Sequence, residues 1–122
     1  MAIQLNHTIV FSQDKQVSAD FLCEILGRPP AVPFGPFLAV RLDNDVTLDF
    51  MDAGGDVALQ HYAFLISDAE FEQSFARIRA RNLTYWADPY RRRPGEINTD
   101  DGGRRVYFED PSKHLLEIFT KG

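Results

Sequence analysis

The chain reads as an α+β protein built from two βαβββ modules in tandem, and three observations predict this. The stretch LNHTIVFSQD (residues 5–14) returns as LQHYAFLISD (residues 59–68) at a constant offset of 54. Each copy is followed by a helical apolar pattern and then by short β-type runs broken by turn residues. Both halves close on a strand of the form Leu-acid-apolar, Leu48-Asp49-Phe50 in the first and Leu116-Glu117-Ile118 in the second. At 122 residues a single domain over 1–122 is expected, divided into a module near residues 4–53 and a second near 57–121.

The elements follow in order. A strand over residues 4–11 sends Leu5, His7, Ile9 and Phe11 to one face and Asn6, Thr8 and Val10 to the other. Asp14 opens a helix whose apolar face is Val17, Phe21, Leu22 and Ile25, and Gly27 with Pro29-Pro30 ends it. Three short strands are predicted over 31–34, 37–42 and 46–51, with Asp43-Asn44-Asp45 turning the last pair. In the second half the strand covers 59–66, and Ser67-Asp68-Ala69-Glu70 has the Ser-x-x-Glu form of a capping box. Phe71, Phe75 and Ile78 form the face of the next helix, and Val17 and Phe21 shifted by 54 land on Phe71 and Phe75. Strands are predicted over 84–87, 104–109 and 114–120, the last two joined by Asp110-Pro111-Ser112-Lys113.

The halves differ mainly by DPYRRRPGEINTDDGG (residues 88–103), which has no periodicity. A loop of this length in a compact domain is functional or mobile. Its Arg91-Arg92-Arg93 run either draws an anionic ligand or is balanced by the Asp and Glu beside it in a solvated loop.

Composition narrows the function classes. With 44% hydrophobic and 25% charged residues the chain is globular rather than disordered. A net charge of −5 and no basic stripe argue against nucleic acid. The single Cys23 excludes an internal disulfide, fits a reducing compartment, and falls in a helix as an inert buried thiol. No apolar run approaches the roughly 18 residues of a membrane span, and the start MAIQLNH has no signal-peptide pattern. A cytoplasmic protein with no membrane partner is therefore expected. Ten Phe and four Tyr point to a β-rich core or an aromatic-lined pocket.

The repeat also duplicates a set of chemically active residues. Each first strand carries a histidine, His7 or His61, and each last strand a carboxylate, Asp49 or Glu117. Asp49 shares its face with Thr47 and Met51, and Glu117 with Leu115 and Phe119. A carboxylate among apolar strand residues is costly to bury unless it is paired or binds a metal. Two imidazoles and two carboxylates suit Zn, Ni, Co, Mn or Fe(II) and leave positions open for substrate. The plainer alternative makes the histidines satisfied polar residues and the carboxylates surface charges. His114, one residue out of parity with Glu117, is read as structural or exposed.

VYFEDPSKHLLEIFT (residues 106–120) resembles the terminal hairpin, with its metal-binding glutamate, of the vicinal oxygen chelate superfamily. That group contains glyoxalase I, fosfomycin-resistance enzymes, extradiol dioxygenases and bleomycin-resistance proteins. LNHTIVF and LQHYAFLISD resemble its two histidine strands, and the helix with GRPP fits its first module, so the resemblance covers essentially the whole chain. It implies sheets curled around a shared cleft, a homodimer, and a divalent metal held within one chain or between two. By position the ligands would be His7, Asp49, His61 and Glu117. Asp49 departs from the Glu or Gln common there in glyoxalase I and reaches less far, whereas a three-ligand His7/His61/Glu117 site resembles the fosfomycin enzymes.

The chemistry implied is two-point binding of a small oxygenated substrate to the metal, with Glu117 or Asp49 as catalytic base in the glyoxalase-like case. In the fosfomycin-like case a phosphonate and epoxide are held while a thiol or water attacks. Dioxygenase chemistry needs Fe(II) or Mn(II) and usually a larger chain, and so ranks lower. The contrasting class is sequestration of a drug without catalysis, as in bleomycin-resistance proteins, which lack the metal ligands. Phe34, Phe37, Tyr62, Tyr85, Trp86 and Tyr90 are the aromatics available to line such a cleft. The complete ligand set ranks a metal-dependent lyase, isomerase or transferase first.

Overall fold

Each half of the chain folds as β-α-β-β-β. The computed structural model describes residues 2–121, so the two terminal residues of the expected domain lie outside the described residues. The elements are β1 (His7–Ser12), α1 (Lys15–Leu26), β2 (Val32–Phe34), β3 (Phe37–Arg41), β4 (Thr47–Asp52), β5 (His61–Leu65), α2 (Asp68–Ala80), β6 (Tyr85–Trp86), β7 (Arg105–Glu109) and β8 (Leu115–Phe119). They form two four-stranded sheets, ordered β1-β4-β3-β2 and β5-β8-β7-β6. The first and last strands of each module pair in parallel, which the intervening helix and hairpin make possible as a crossover.

The register repeats residue for residue. One cross-strand row of the first sheet is Ile9, Asp49, Ala39 and Val32, and its counterpart in the second is Ala63, Glu117, Tyr107 and Trp86. β1 and β5 begin later than predicted, because residues 4–6 and 59–60 precede the first position that β4 or β8 pairs in register.

Helix ends follow their sequence signals. The Asp14 carboxylate accepts the N–H groups of Gln16 and Val17, and Gly27 closes α1 at φ 66° with the Arg28 N–H bonded to the Cys23 carbonyl at 2.8 Å. At α2 the Ser67–Glu70 capping box is complete in both directions. One face assignment fails. Val17 is half exposed, and Ser18 turns inward to meet Ser112 Oγ at 3.1 Å. The inward row of α1 is thus Ser18, Phe21, Leu22 and Ile25, still at helical spacing.

One continuous core fills the space between the sheets and the helices. It joins Val10, Leu48 and Phe50 of the first sheet to Phe64, Phe108 and Ile118 of the second, with Phe21, Ile25, Phe71 and Ile78 from the helices. Each such side chain contributes about 1.5–3 kcal/mol by burial. Cys23 lies in it, its thiol pushed up mainly by that burial.

Polar contacts fasten the modules to each other. Besides the Ser112–Ser18 contact, the turn after β7 reaches module 1 where Ser112 Oγ accepts the Gln13 N–H at 3.0 Å and His114 Nε2 donates to the Phe11 carbonyl at 2.7 Å. From α2, Arg77 donates to the Ile25 carbonyl at 3.2 Å, and Arg81, which caps that helix, pairs with Glu24. The 88–103 loop is tied down as well. Asp88 accepts the Arg92 and Arg93 N–H groups, and isolated bridges join Trp86 to Pro94 and Asn98 to Arg105. Arg91 pairs with Glu109, and Arg93 with Glu96 and Asp100, which favours the balanced-loop reading of the arginine run. No described helix is long and apolar enough to cross a membrane.

Candidate metal centre

The face of each sheet turned away from the helices is open. In the first sheet it exposes Ile9, Phe11, Val32 and Phe34, and in the second Leu65. Strand parity puts all four sequence-predicted ligands on these open faces, His7 and Asp49 on one, His61 and Glu117 on the other.

The second module brings its pair together. Glu117 is only 4% exposed, yet both its oxygens are engaged. Oε1 lies 3.0 Å from His61 Nε2, and Oε2 lies 3.0 Å from Arg105 Nη1. His61 Nδ1 is 2.9 Å from the Leu115 carbonyl oxygen. A carbonyl only accepts, so Nδ1 carries the hydrogen, and Nε2 carries either a second hydrogen or a lone pair. With a lone pair there, two acceptors would face each other at 3.0 Å. Such a contact requires a cation between them, either a proton on the imidazole or a metal ion. Histidines that bind metals commonly donate their other N–H to a carbonyl in this way. The His61 ring also stacks on Tyr107, centroids 6.0 Å apart. Burial pushes the Tyr107 phenol up, Glu117 adds to this, and Arg105 opposes it.

The first module holds its pair differently. His7 Nδ1 lies 2.8 Å from Asn6 Oδ1, which again leaves Nε2 free, and the ring is exposed. Asp49 is 6% exposed, and no hydrogen bond or ion pair among the described residues reaches its carboxylate. Its oxygens still reach solvent, for the buried side-chain N and O atoms left without a partner among the described residues are Ser12 Oγ and Arg28 Nε, so the carboxylate stays open to a proton or a cation.

Among the described residues, no three His, Cys, Asp or Glu side chains gather closely enough to hold a metal ion. One chain thus offers two half-sites. The structure unites His61 with Glu117 and leaves His7 and Asp49 on the other sheet. The imidazole and carboxylate donors fit a borderline divalent metal in kind and orientation, provided that the two halves meet.

Other expectations sort clearly. His114 is buried and structural, for its Nδ1 accepts the Gln60 N–H at 3.0 Å while Nε2 donates to Phe11, the reverse of the His61 arrangement. Of the aromatics, Phe34 and Trp86 stand in rows of the open faces, Tyr62 and Tyr85 pack against the core, and Tyr90 is exposed on the loop. A cleft of about 400 Å³ where the modules meet, lined by Leu26, Arg28, Leu42 and Phe64, contains none of the four predicted ligands. Sequence reasoning missed Arg105 and Tyr107. The signal was available in strand parity, since both share the Glu117 face in the neighbouring strand.

No family model matches the chain. The glutathione transferase FosA of Serratia marcescens is 30% identical over 125 residues, covering 97% of this chain and 81% of that protein. The solved structure of oxidase ChaP-H1 superposes with a TM-score of 0.97 at 59% identity, covering 99% of this chain and 98% of that one. Oxidase ChaP-H2 gives 0.97 at 56% identity, covering 100% and 96%. All three of these relatives bear enzyme names.

Proposed function

The chain belongs to the vicinal oxygen chelate superfamily, and from that premise we propose that it is a metal-dependent oxidative enzyme acting on a small molecule bound through two of its oxygens. The observation that carries the metal is the 3.0 Å approach of His61 Nε2 to Glu117 Oε1, an imidazole and a carboxylate held side by side by strand register. Oxidative chemistry is favoured by the two oxidases of nearly the same length, 98% and 96% of which this chain covers. Chain length, which placed oxidation behind lyase and transferase chemistry in the sequence, is therefore no ground against it. Redox-active Fe(II) or Mn(II) moves ahead of Zn, Ni and Co accordingly.

The site is completed by a second copy of the chain. Each centre takes His7 from one subunit and the His61–Glu117 pair from the other, with the open apolar faces of β1, β2 and β5 as the surfaces that meet. When bound, the metal supplies two-point binding of the substrate oxygens and their polarisation. His7 and His61 offer Nε2, each fixed by its Nδ1–H. Glu117 provides the anionic donor, and the Asp49 carboxylate, buried and without a partner, accepts the substrate proton. Tyr107 and Trp86, in the same row as Glu117, provide an aromatic wall for the substrate. The buried free thiol of Cys23 fits a reducing cytoplasm.

A second reading, thiol transfer or glyoxalase-type isomerisation, is favoured by the 30% identity to the glutathione transferase. Purified protein offered Fe(II), Mn, Co, Ni and Zn should take up one metal per chain, and oxygen uptake with catechols and hydroquinones should exceed turnover of epoxides or thiohemiacetals. A protein that stays empty with every metal sinks the proposal and leaves drug sequestration in its place. Shared sites have their own test. Mixing His7→Ala with Glu117→Ala, each unable to load metal, should restore about a quarter of the sites after subunit exchange, because half the dimers regain one of two centres. No recovery would put the whole site within one chain.

A further inference from the structure

Glu117 is held from two sides, and the second side has no counterpart in the first module. Arg105 Nη1 lies 3.0 Å from Oε2, the oxygen that His61 does not touch. The guanidinium is itself fixed. Its Nη2 donates to Asp101 Oδ2 at 3.3 Å and to the Lys121 carbonyl at 3.4 Å, and it sits 4.9 Å over the Phe119 ring. Asp101, in the 88–103 loop, is pinned in turn by the Gly103 N–H at 3.0 Å. By register the equivalent of Arg105 in the first sheet is Phe37, an apolar residue, and Asp49 has no cation beside it.

We propose that Arg105 is a positioning residue that makes Glu117 a one-oxygen metal ligand, occupying Oε2 so that only Oε1 is offered beside His61 Nε2. This rests on the metal reading above and deepens it. A carboxylate bound through both oxygens takes two coordination positions, whereas one bound through Oε1 alone leaves a position for the second oxygen of the substrate. Arginine suits the task because its fork holds Oε2 with one arm while the other stays on Asp101 and the Lys121 carbonyl. The loop inserted in the second module thereby braces the ligand.

The test is titration of Co(II) alone into metal-free wild type, Arg105→Met and Arg105→Lys, with affinity and visible d–d absorption recorded and circular dichroism checking the fold. Arg105→Met is expected to weaken Co(II) binding about ten- to hundredfold, the usual effect of losing an outer partner of a ligand. Its d–d bands should also weaken, because the freed Oε2 raises the coordination number. Arg105→Lys, which keeps the charge without the fork, should fall between the two. Equal affinity and an unchanged spectrum in Arg105→Met overturn the proposal. If that variant does not fold, Arg105→Lys decides, and wild-type behaviour there overturns it too. A wild type that binds no Co(II) removes the metal reading itself, and this inference with it.

Discussion

Asp49 and Glu117 stand at the same place in two equivalent sheets, opposite Ile9 in one and Ala63 in the other. Their surroundings differ completely. Glu117 meets His61, Arg105 and the Tyr107 strand position, whereas Asp49 has Ala39 and Phe37 where Tyr107 and Arg105 would be. The same backbone occurs twice, and two side-chain differences in the neighbouring strand, Tyr107 for Ala39 and Arg105 for Phe37, set one copy apart as a preset ligand pair. The other copy keeps a buried carboxylate without a partner. Equal backbone geometry therefore does not make equal chemistry. What a buried acid does is set by the residues its own strand brings across from it.

The strongest way to break this comparison is to neutralise each acid in turn. Glu117→Gln is expected to weaken metal binding by more than about a hundredfold, beyond the loss of an outer partner. Asp49→Asn should cost less than about tenfold on that scale and change thermal stability by less than about 0.5 kcal/mol, since the carboxylate oxygens still reach solvent. Similar affinity losses in calorimetric titrations would make the two half-sites equivalent.

A second test concerns which module holds the other. His114 leaves two backbone groups unmet if truncated, so urea unfolding of His114→Ala should show a loss of about 2–4 kcal/mol. Ser112→Ala, losing one hydroxyl, should lose about 1 kcal/mol. An unchanged midpoint for His114→Ala would mean the modules are joined by the helices alone.

The helix ends offer a smaller contrast. Gly27 adopts φ 66°, and an added Cβ would lie 2.7 Å from Arg77 Nη1, so Gly27→Ala must strain the backbone and push Arg77 from the Ile25 carbonyl. About 1–2 kcal/mol should be lost. After α2 the left-handed position is Asn82, at φ 55°, and Asn82→Gly should change stability by only a few tenths of a kcal/mol. Thermal melts of the two variants measure the difference.

The smallest effect is one of pH. Asp110 is raised, first by burial, against the lowering by the His114 and Ser112 N–H groups. Its folded value lies above the unfolded one, so folding takes up a proton between them. Stability from this group is greatest at low pH and is lost as pH rises through the folded value. Asp110→Asn keeps an acceptor at Oδ1 and should gain less than about 1 kcal/mol at neutral pH. That gain should disappear in melts near pH 4, and a gain constant with pH would contradict the assignment.

The repeat, the helix end at Gly27, the helix start at Ser67 and the order of strands were legible because each is written in local spacing or in the 54-residue offset. Val17 was misread because nothing near it announces that Ser112, 94 residues from Ser18, selects the inward position. The identities of His61 and Glu117 were legible for the same reason as the fold. Their actual state was not, since the tautomer depends on the Leu115 carbonyl and the second oxygen on Arg105, both set by strand register. The separation of the half-sites was equally hidden. It follows from how the modules dock through α1, α2 and the Ser112–His114 turn, which no periodicity records.

Parallel pairing of first and last strands also sets an order of events during synthesis. β1 begins pairing at residue 47, 40 residues after His7, and β5 at residue 115, 54 residues after His61. The longer wait adds only about 0.3 kcal/mol of loop-closure entropy, so it hardly taxes stability. It does fix chronology on the ribosome. All strands of the module with His7 and Asp49 are synthesised before the strand bearing Glu117 exists, and His61 emerges with nothing to face. Only when β8 arrives can His61, Glu117 and Arg105 come together, because β8 pairs with both β5 and β7.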